Sequence, residues 1–330
     1  MILVTGGLGF IGSHTVDALL ELGHECLVTQ HSAEPRPEVA GNDRIAVERI
    51  DVSDPVSLRA AGERHRITGI VHLAGAPHAT LGVIDELAAN MNILFNIGRL
   101  AQEWGVGRVV MASTIGVYAG AEAASPPDQD GKRGESVPLR EDLPLPMTAI
   151  QPIQGFKKAA EILSTLLGGR DGVEFASARI SAAWGPLGRP KSMFFSLPRM
   201  VHAAVAGEVA DFSGDGSEPV AYAGDGLDMT YVKDCGRALA LLVTVPELRY
   251  RTYNVGSGHA TSTGEVAEAI RAAIPTAAIV LAEGGNPGNR APNVSLDISR
   301  LRADTGFEPG YDLASGLGDY IAWLRAGHQR

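Results

Sequence analysis

The chain has 330 residues, 45% of them hydrophobic and 20% charged, which is enough to bury a full core and more than one module. Its formal net charge of -10 argues against a nucleic-acid partner, because that binding depends on Lys and Arg neutralising phosphates. No apolar run approaches membrane-spanning length, and the first predicted strand begins at Ile2. We therefore expect a cytoplasmic protein that has no membrane partner. Its expected partner is a small-molecule substrate.

The opening stretch, MILVTGGLGFIGSHTVDALLELGHECLVTQ, predicts a strand, a glycine-rich turn, an amphipathic helix and a second strand. Gly6, Gly9 and Gly12 follow the first strand at the spacing G-x-x-G-x-x-G. Glycine lets the backbone approach a pyrophosphate, and the unpaired N–H groups at the helix start face the anion. We therefore predict a dinucleotide site, to which Phe10 and Ile11 of the same turn also belong.

Further strands and helices alternate along the first half of the chain. Apolar runs predict strands at 44–52, 69–76 and 108–114, and helical periodicity predicts helices at 54–66 and 82–104. This alternation predicts a parallel, doubly wound sheet whose ligand lies beyond the carboxyl ends of the strands. The residues that we expect at those ends are Asp51, Val52, Leu73, Ala74, Gly75 and Thr114.

Seven segments occur in an order that resembles one known family: TGGLGFIG, Asp51-Val52, HLAG, ASTIGVYAG, the helix with Lys158, LDMTYVKDCGRAL and YNVGSG. The family is the extended short-chain dehydrogenases/reductases, or NAD-dependent epimerase/dehydratase family, and the resemblance covers nearly the whole chain. It implies a Rossmann-type sheet, a smaller α/β substrate-binding domain and NAD as cofactor. NADP stays open, because Gln30 stands where an acidic residue would bind the ribose 2′-OH.

The resemblance also suggests the domain organisation and a homodimer. The apolar helix faces near 88–104 and 154–167 resemble those that pair two subunits of relatives through a four-helix bundle. The predicted domains are 1–180 with 226–256 for the dinucleotide, and 181–225 with 257–330 for the substrate.

The predicted catalytic centre departs from the family at one position. The resemblance implies that Thr114 binds the reacting oxygen, and that Lys158 holds the nicotinamide ribose and lowers the pKa of a tyrosine four residues earlier. Position 154 holds glutamine, whose amide has no proton to exchange near neutral pH. The other register, Lys157 with Ile153, supplies no acid either. We expect Gln154 to orient the substrate, while another group supplies the proton or the reaction needs none.

Several residues are candidates for the missing proton donor. His78, in HLAGAPHAT, follows a strand end, and imidazole titrates in the required range. Tyr118 is a second candidate, although a structural role is favoured. The Pro-, Gly- and charge-rich segment 119–146 suggests a lid, whose Arg133, Glu135 and Glu141 are expected to face solvent unless one reaches inward. The histidines show no metal-ligand spacing, so no metal is expected.

The sequence predicts an NAD(P)-dependent oxidoreductase or epimerase that acts on a secondary alcohol or keto centre of a sugar-like or other polar small molecule. Ala182 and Leu227 stand where many relatives contact a nucleotide diphosphate, and Ile115 and Gly116 replace the Asp-Glu pair typical of dehydratases. Two alternatives remain: a non-catalytic dinucleotide-binding protein, and an isomerase or lyase that uses tightly bound NAD transiently.

Overall fold

The computed structural model describes residues 1–31, 34–36, 39, 41–76, 81–121, 137–170, 172–190, 192, 195–212, 220–287 and 293–328. Seven parallel strands form the main sheet, in the order β3-β2-β1-β4-β5-β6-β9. These strands are β1 (Ile2–Thr5), β2 (Cys26–Gln30), β3 (Ile45–Arg49), β4 (Gly69–His72), β5 (Arg108–Thr114), β6 (Glu174–Ile180) and β9 (Thr252–Val255). The prediction of a doubly wound parallel sheet is confirmed.

The strands of the main sheet bury side chains on both faces. In β1, Ile2 and Val4 point into one apolar cluster and Leu3 into another, because successive side chains of a strand alternate between faces. Leu3 lies next to Leu27 of β2 and Ile70 of β4 in register. Both faces are apolar because helices cover each of them, as in other parallel sheets.

The helices connect and cover the strands. They are α1 (Phe10–Glu21), α2 (Pro55–Arg64), α3 (Val83–Glu103), α4 (Pro152–Arg170), α5 (Leu197–Ala206), α6 (Val232–Thr244), α7 (Thr263–Ala273), α8 (Ser299–Thr305) and α9 (Leu313–Arg325). The predicted helices at 54–66 and 82–104 correspond to α2 and α3, which end one or two residues inside the predicted limits. In the described residues, no helix is both long and apolar enough to cross a membrane.

A second, three-stranded sheet carries its own apolar cluster. It contains β7 (Ala182–Trp184), β8 (Gly226–Tyr231) and β10 (Ala260–Ser262), with β8 in the middle. The sequence-based domain boundary at 226 assigns β8 to the dinucleotide half, but β8 pairs with β7 and β10 and not with the main sheet. The strand leaves the main sheet because its Met229 and Tyr231 are buried against the helices of the second cluster.

One glycine sets the distance between the two helices that cover the same face of the sheet. Helix α6 packs along α1, and a Cβ atom built on Gly236 would lie 2.5 Å from the backbone carbonyl oxygen of His14. Any larger residue must therefore push the helices apart, because a backbone atom cannot rotate away as a side chain can.

We expect Gly236→Ala to lower the free energy of unfolding by about 1–3 kcal/mol through this overpacking, measured by urea denaturation. The matched control is Gly318→Ala in α9, where an added Cβ meets nothing within 4 Å. That change should raise stability by up to about 1 kcal/mol, since alanine favours the helix. Equal effects of the two substitutions would contradict the close helix contact.

Candidate active site

The glycine turn after β1 forms a cradle that leaves no room for side chains. Gly6 has a φ of +72°, and a Cβ built on Gly12 would lie 2.1 Å from the carbonyl oxygen of Gly6. The turn closes through a hydrogen bond from the Gly9 N–H to the Gly6 oxygen, at 2.9 Å. Gly9 is the N-cap of α1 and gives it no side-chain cap, so the helix presents backbone N–H donors to an anion. A pyrophosphate fits this cradle.

The end of β4 lies against the glycine turn. A Cβ built on Gly6 would lie 3.1 Å from the Ala74 nitrogen, so the two loops touch through their backbones. The Thr5 hydroxyl accepts hydrogen bonds from the backbone N–H groups of Leu73 at 3.1 Å and Ala74 at 3.2 Å. The same hydroxyl pairs with Nδ1 of His72 at 2.8 Å. Thr5 was not among the predicted site residues, although it joins β1 and β4 at the cleft.

Helix α3 holds the next part of this loop. The side-chain oxygen of Asn90 accepts a hydrogen bond from the Ala76 N–H at 3.1 Å, while its amide donates to the Glu86 carbonyl at 2.8 Å. A Cβ built on Gly75 would lie 3.0 Å from that Asn90 oxygen. Glycine at 75 therefore lets the loop approach α3 and keeps its backbone at the cleft edge.

The far end of the cleft is acidic. Beyond β2, the amide of Gln30 donates a hydrogen bond to the Glu34 carboxylate at 3.2 Å. Beyond β3, the Asp51 carboxylate accepts hydrogen bonds from the Ser53 hydroxyl at 2.7 Å and the Ser53 N–H at 2.8 Å, which lower the pKa of Asp51. Arg36 pairs with Asp17 at 3.2 Å. An acidic residue after the second strand suits a ribose 2′-OH and repels a 2′-phosphate, and Glu34 lies there.

Thr114 and Gln154 lie together where β5 ends. A Cβ built on Gly116 would lie 3.3 Å from Cγ of Gln154 and 3.4 Å from the Thr114 hydroxyl oxygen, so glycine leaves space between them. The Gln154 side-chain oxygen accepts hydrogen bonds from the backbone N–H groups of Ile150 at 3.0 Å and Gln151 at 3.4 Å. Gln154 thus caps the first turn of α4, and its Nε2 is the donor it can offer a substrate.

Lys157 and Lys158, which follow Gln154 in α4, point in different directions. The ammonium of Lys158 donates to the carbonyl oxygens of Pro146 and Thr148, both at 2.6 Å, in the loop that precedes α4. Lys157 instead reaches the sheet, where Nζ donates to the Ala112 carbonyl oxygen at 2.7 Å. The predicted ribose contact of Lys158 stays a prediction, and the lysine that contacts β5 is Lys157.

A buried polar network lies beneath this edge. Glu161 of α4 holds Arg179 of β6 by an ion pair of 2.7 Å and also accepts a hydrogen bond from the Ser113 hydroxyl. Arg179 donates to the Tyr118 hydroxyl at 2.8 Å, which donates in turn to the Asn254 side chain at 2.8 Å. These groups fasten α4, β5, β6 and β9 to one another.

Two of the candidate proton donors, Tyr118 and Glu141, are held within this buried region. Burial raises the pKa of Tyr118 to about 12, and its hydroxyl is engaged on both sides. Glu141 was expected to face solvent or the cleft, but only 8% of it is exposed. Its carboxylate accepts a hydrogen bond from the Asn254 N–H at 2.8 Å, and burial raises its pKa. The expectation failed because the segment around Leu139 pairs with Leu296 and carries Glu141 into the core.

The other three predicted candidates, His78, Arg133 and Glu135, lie outside the described residues. His72 is buried, which lowers its pKa to about 3 and keeps it neutral. Within the described ranges, no cluster of three or more His, Cys, Asp or Glu side chains could hold a metal ion.

Fold and site together define a class: an α/β protein with a glycine cradle after β1 and, where β5 ends, Thr114 beside Gln154. Residues 2–256 match the model of the NAD dependent epimerase/dehydratase family. The chain therefore belongs to that family; it is an enzyme of the extended short-chain dehydrogenase/reductase type, and its cofactor is NAD.

The similarity to named relatives covers nearly the whole chain. It is 25% identical to a UDP-glucuronate 4-epimerase of Thermodesulfobacterium geofontis, with 98% of this chain and 95% of the relative covered. It is 28% identical to a dTDP-4-dehydro-6-deoxy-D-allose reductase of Streptomyces bikiniensis, with 98% and 96% covered. The structure of Thermus thermophilus UDP-glucose 4-epimerase with NAD superposes with a TM-score of 0.75 at 26% identity, over 99% of both chains.

The Glu161–Arg179 pair generates a stability prediction. We expect Glu161→Gln to lower the free energy of unfolding by about 3–5 kcal/mol in urea, because Arg179 is left as an uncompensated buried charge. The matched control is Glu103→Gln, which breaks the exposed Arg59–Glu103 pair of 2.8 Å. That variant should keep the wild-type midpoint, since water screens an exposed pair. Similar losses in both variants would contradict the network's role.

Proposed function

We propose that the enzyme oxidises, reduces or epimerises a secondary alcohol or keto centre of a nucleotide sugar with NAD. The observation that carries the proposal is a glycine cradle and the Thr114–Gln154 pair at the same edge of one parallel sheet. The chain is also similar, over 98% of its length, to relatives named for UDP and dTDP sugars. Ala182 and Leu227 replace two anion contacts of many such relatives, so the diphosphate would be held by other groups.

The described residues fit defined roles in this proposal. Gly6, Gly9 and Gly12 would hold the pyrophosphate, while Gln30, Asp51 and Val52 would border the adenosine part. Bound NAD supplies a hydride acceptor or donor. The Thr114 hydroxyl and the Gln154 amide N–H would donate hydrogen bonds to the reacting oxygen, which orients it without exchanging a proton.

Two alternative functions would give different results in the binding and turnover experiments. A protein that keeps NAD through dialysis and turns over without net redox change would be an isomerase or lyase that oxidises its substrate transiently. A protein that binds NAD and converts no substrate would be a dinucleotide-binding descendant of the enzymes. Gln154 in place of tyrosine motivates both alternatives.

We expect isothermal titration calorimetry to detect NAD binding, with NADP at least 10-fold weaker because of Glu34 and Asp51. Incubation with NAD or NADH and a panel of UDP and dTDP sugars should give either a change in NADH absorbance or an epimer resolved by chromatography.

Gly9→Val tests the cradle, because φ of Gly9 is -81° and a Cβ there approaches only the Gly6 oxygen, at 3.1 Å. NAD affinity should fall at least 10-fold while the fold survives. Gly107→Val is the control, since a Cβ there approaches Thr68 at 3.7 Å, far along the chain from the cradle. Wild-type protein that bound neither dinucleotide would refute the proposal.

We also propose a homodimer formed by α3 and α4. These helices pack on each other and expose apolar side chains, with Ile84 81%, Phe95 42%, Ile162 52% and Leu166 64% exposed. Ile162 and Leu166 are four residues apart and so lie on one face of α4. A two-fold contact would bury this face in a four-helix bundle.

Leu166→Glu should convert the dimer to a monomer in analytical ultracentrifugation, because a charge in the bundle would lose its hydration. Val280→Glu is the control, since Val280 is 75% exposed but lies outside both helices. A wild-type monomer at micromolar concentration would rule the dimer out.

A further inference from the structure

Lys157 contacts β5 two residues before Thr114, the last residue of that strand. The β4–β5 pairing ends at His72 with Met111, so Ala112 is the first residue of β5 beyond that ladder. Nζ of Lys157 donates to the Ala112 carbonyl oxygen at 2.7 Å. Ala112 and Thr114 are two residues apart and share one side of the strand, about 7 Å from each other.

In the part of the chain that the structure describes, the titratable groups that act on or respond to Lys157 are His72 of β4 and Glu161 of α4. His72 of β4 is neutral over the working range, because burial lowers its pKa to about 3. Glu161 lies one turn further along α4, but its carboxylate is already paired with Arg179 of β6 at 2.7 Å. The Lys157 ammonium therefore has the Glu161 carboxylate nearby, but that carboxylate already binds the Arg179 guanidinium, which is always charged.

These surroundings bring the pKa of Lys157 close to the physiological range. Burial lowers the pKa of Lys157 to about 8, and Glu161 partly opposes that shift. An ammonium has three donors, and the Ala112 carbonyl takes one of them. Lys157 can therefore change protonation state near physiological pH, whereas Gln154 cannot and Tyr118 is fixed in the buried network.

We propose that Lys157 exchanges the proton with the substrate's reacting oxygen, in the role that tyrosine has in relatives. The inference rests on the proposed function. In the oxidising direction, the neutral amine takes the hydroxyl proton and becomes ammonium, while the C–H hydrogen and its two electrons leave as hydride to NAD. In the reducing direction, the ammonium returns that proton to the oxygen. Nζ would leave Ala112 and move along the strand end towards Thr114.

The first test reads the protonation of Lys157 directly and needs no turnover. The chain contains five lysines, so Nζ signals of isotope-labelled lysine are few enough to assign by their loss in Lys157→Arg. The Lys157 signal should titrate with a midpoint near pH 8 in the cofactor-free protein. Addition of NAD with UDP-glucose should shift this signal. A midpoint above 10 would overturn the proposal, whatever the enzyme's activity.

The second test compares pH profiles. The kcat of wild-type oxidation should rise with pH and level off above about 8, because the neutral amine form of Lys157 accumulates. The kcat of reduction should fall over the same pH range. Lys157→Arg keeps the charge and should keep NAD affinity, but it should lose about 10²–10⁴-fold in kcat with that pH limb. Lys158→Met should retain the limb.

The outcomes separate the two proposals. If wild-type protein binds no NAD, the proposed function fails. If wild-type turns over and Lys157→Arg keeps both its rate and its pH limb, the lysine proposal alone fails. Lys157→Met serves as a second variant, and retention of the limb in that protein would have the same meaning.

Discussion

The site depends on backbone segments that approach more closely than side chains allow. Gly12 has no space for a Cβ above the Gly6 carbonyl, and Gly6 itself lies against the Leu73–Ala74 backbone. This contact joins β1 to β4 at the edge where a parallel sheet opens its cleft. The Thr5 hydroxyl secures it by binding both N–H groups of the adjoining loop. A cofactor cradle with fixed backbone donors is the consequence, and an anion bound there meets them without further ordering.

The edge where β5 ends is held differently, by a buried ion pair. Glu161 and Arg179 tie α4 to β6, and Ser113 and Tyr118 extend the connection to β5 and its following turn. Such a pair costs desolvation and contributes mainly by fixing one arrangement of the helix over the strand. That arrangement decides which lysine faces the sheet. Lys157 precedes Glu161 by four residues and shares its helix face, so the orientation of Glu161 carries Lys157 to Ala112.

In the proposed function, the chain does without the tyrosine that the family resemblance implies at position 154, and Lys157 on the same helix is an ionisable group. Gln154 retains the position beside Thr114 and contributes a donor and a helix cap. Orientation and proton exchange would then be divided between two residues one turn apart. The absence of an acidic tyrosine therefore does not by itself imply an inactive protein.

The sequence by itself determined the parallel sheet, the glycine cradle and the family, because apolar periodicity and glycine spacing report local geometry that tertiary packing leaves unchanged. It also placed Thr114 and Gln154 together at a strand end. The tertiary structure alone decided that Lys157 faces the sheet, that Glu141 is buried and that β8 joins the smaller sheet. Adjacent helix residues differ by about 100° around the helix axis. Which of Lys157 and Lys158 faces the sheet therefore depends on contacts with Arg179 and Ala112, which are distant in sequence. Pairing of distant strands likewise cannot be read from the pattern of a single strand.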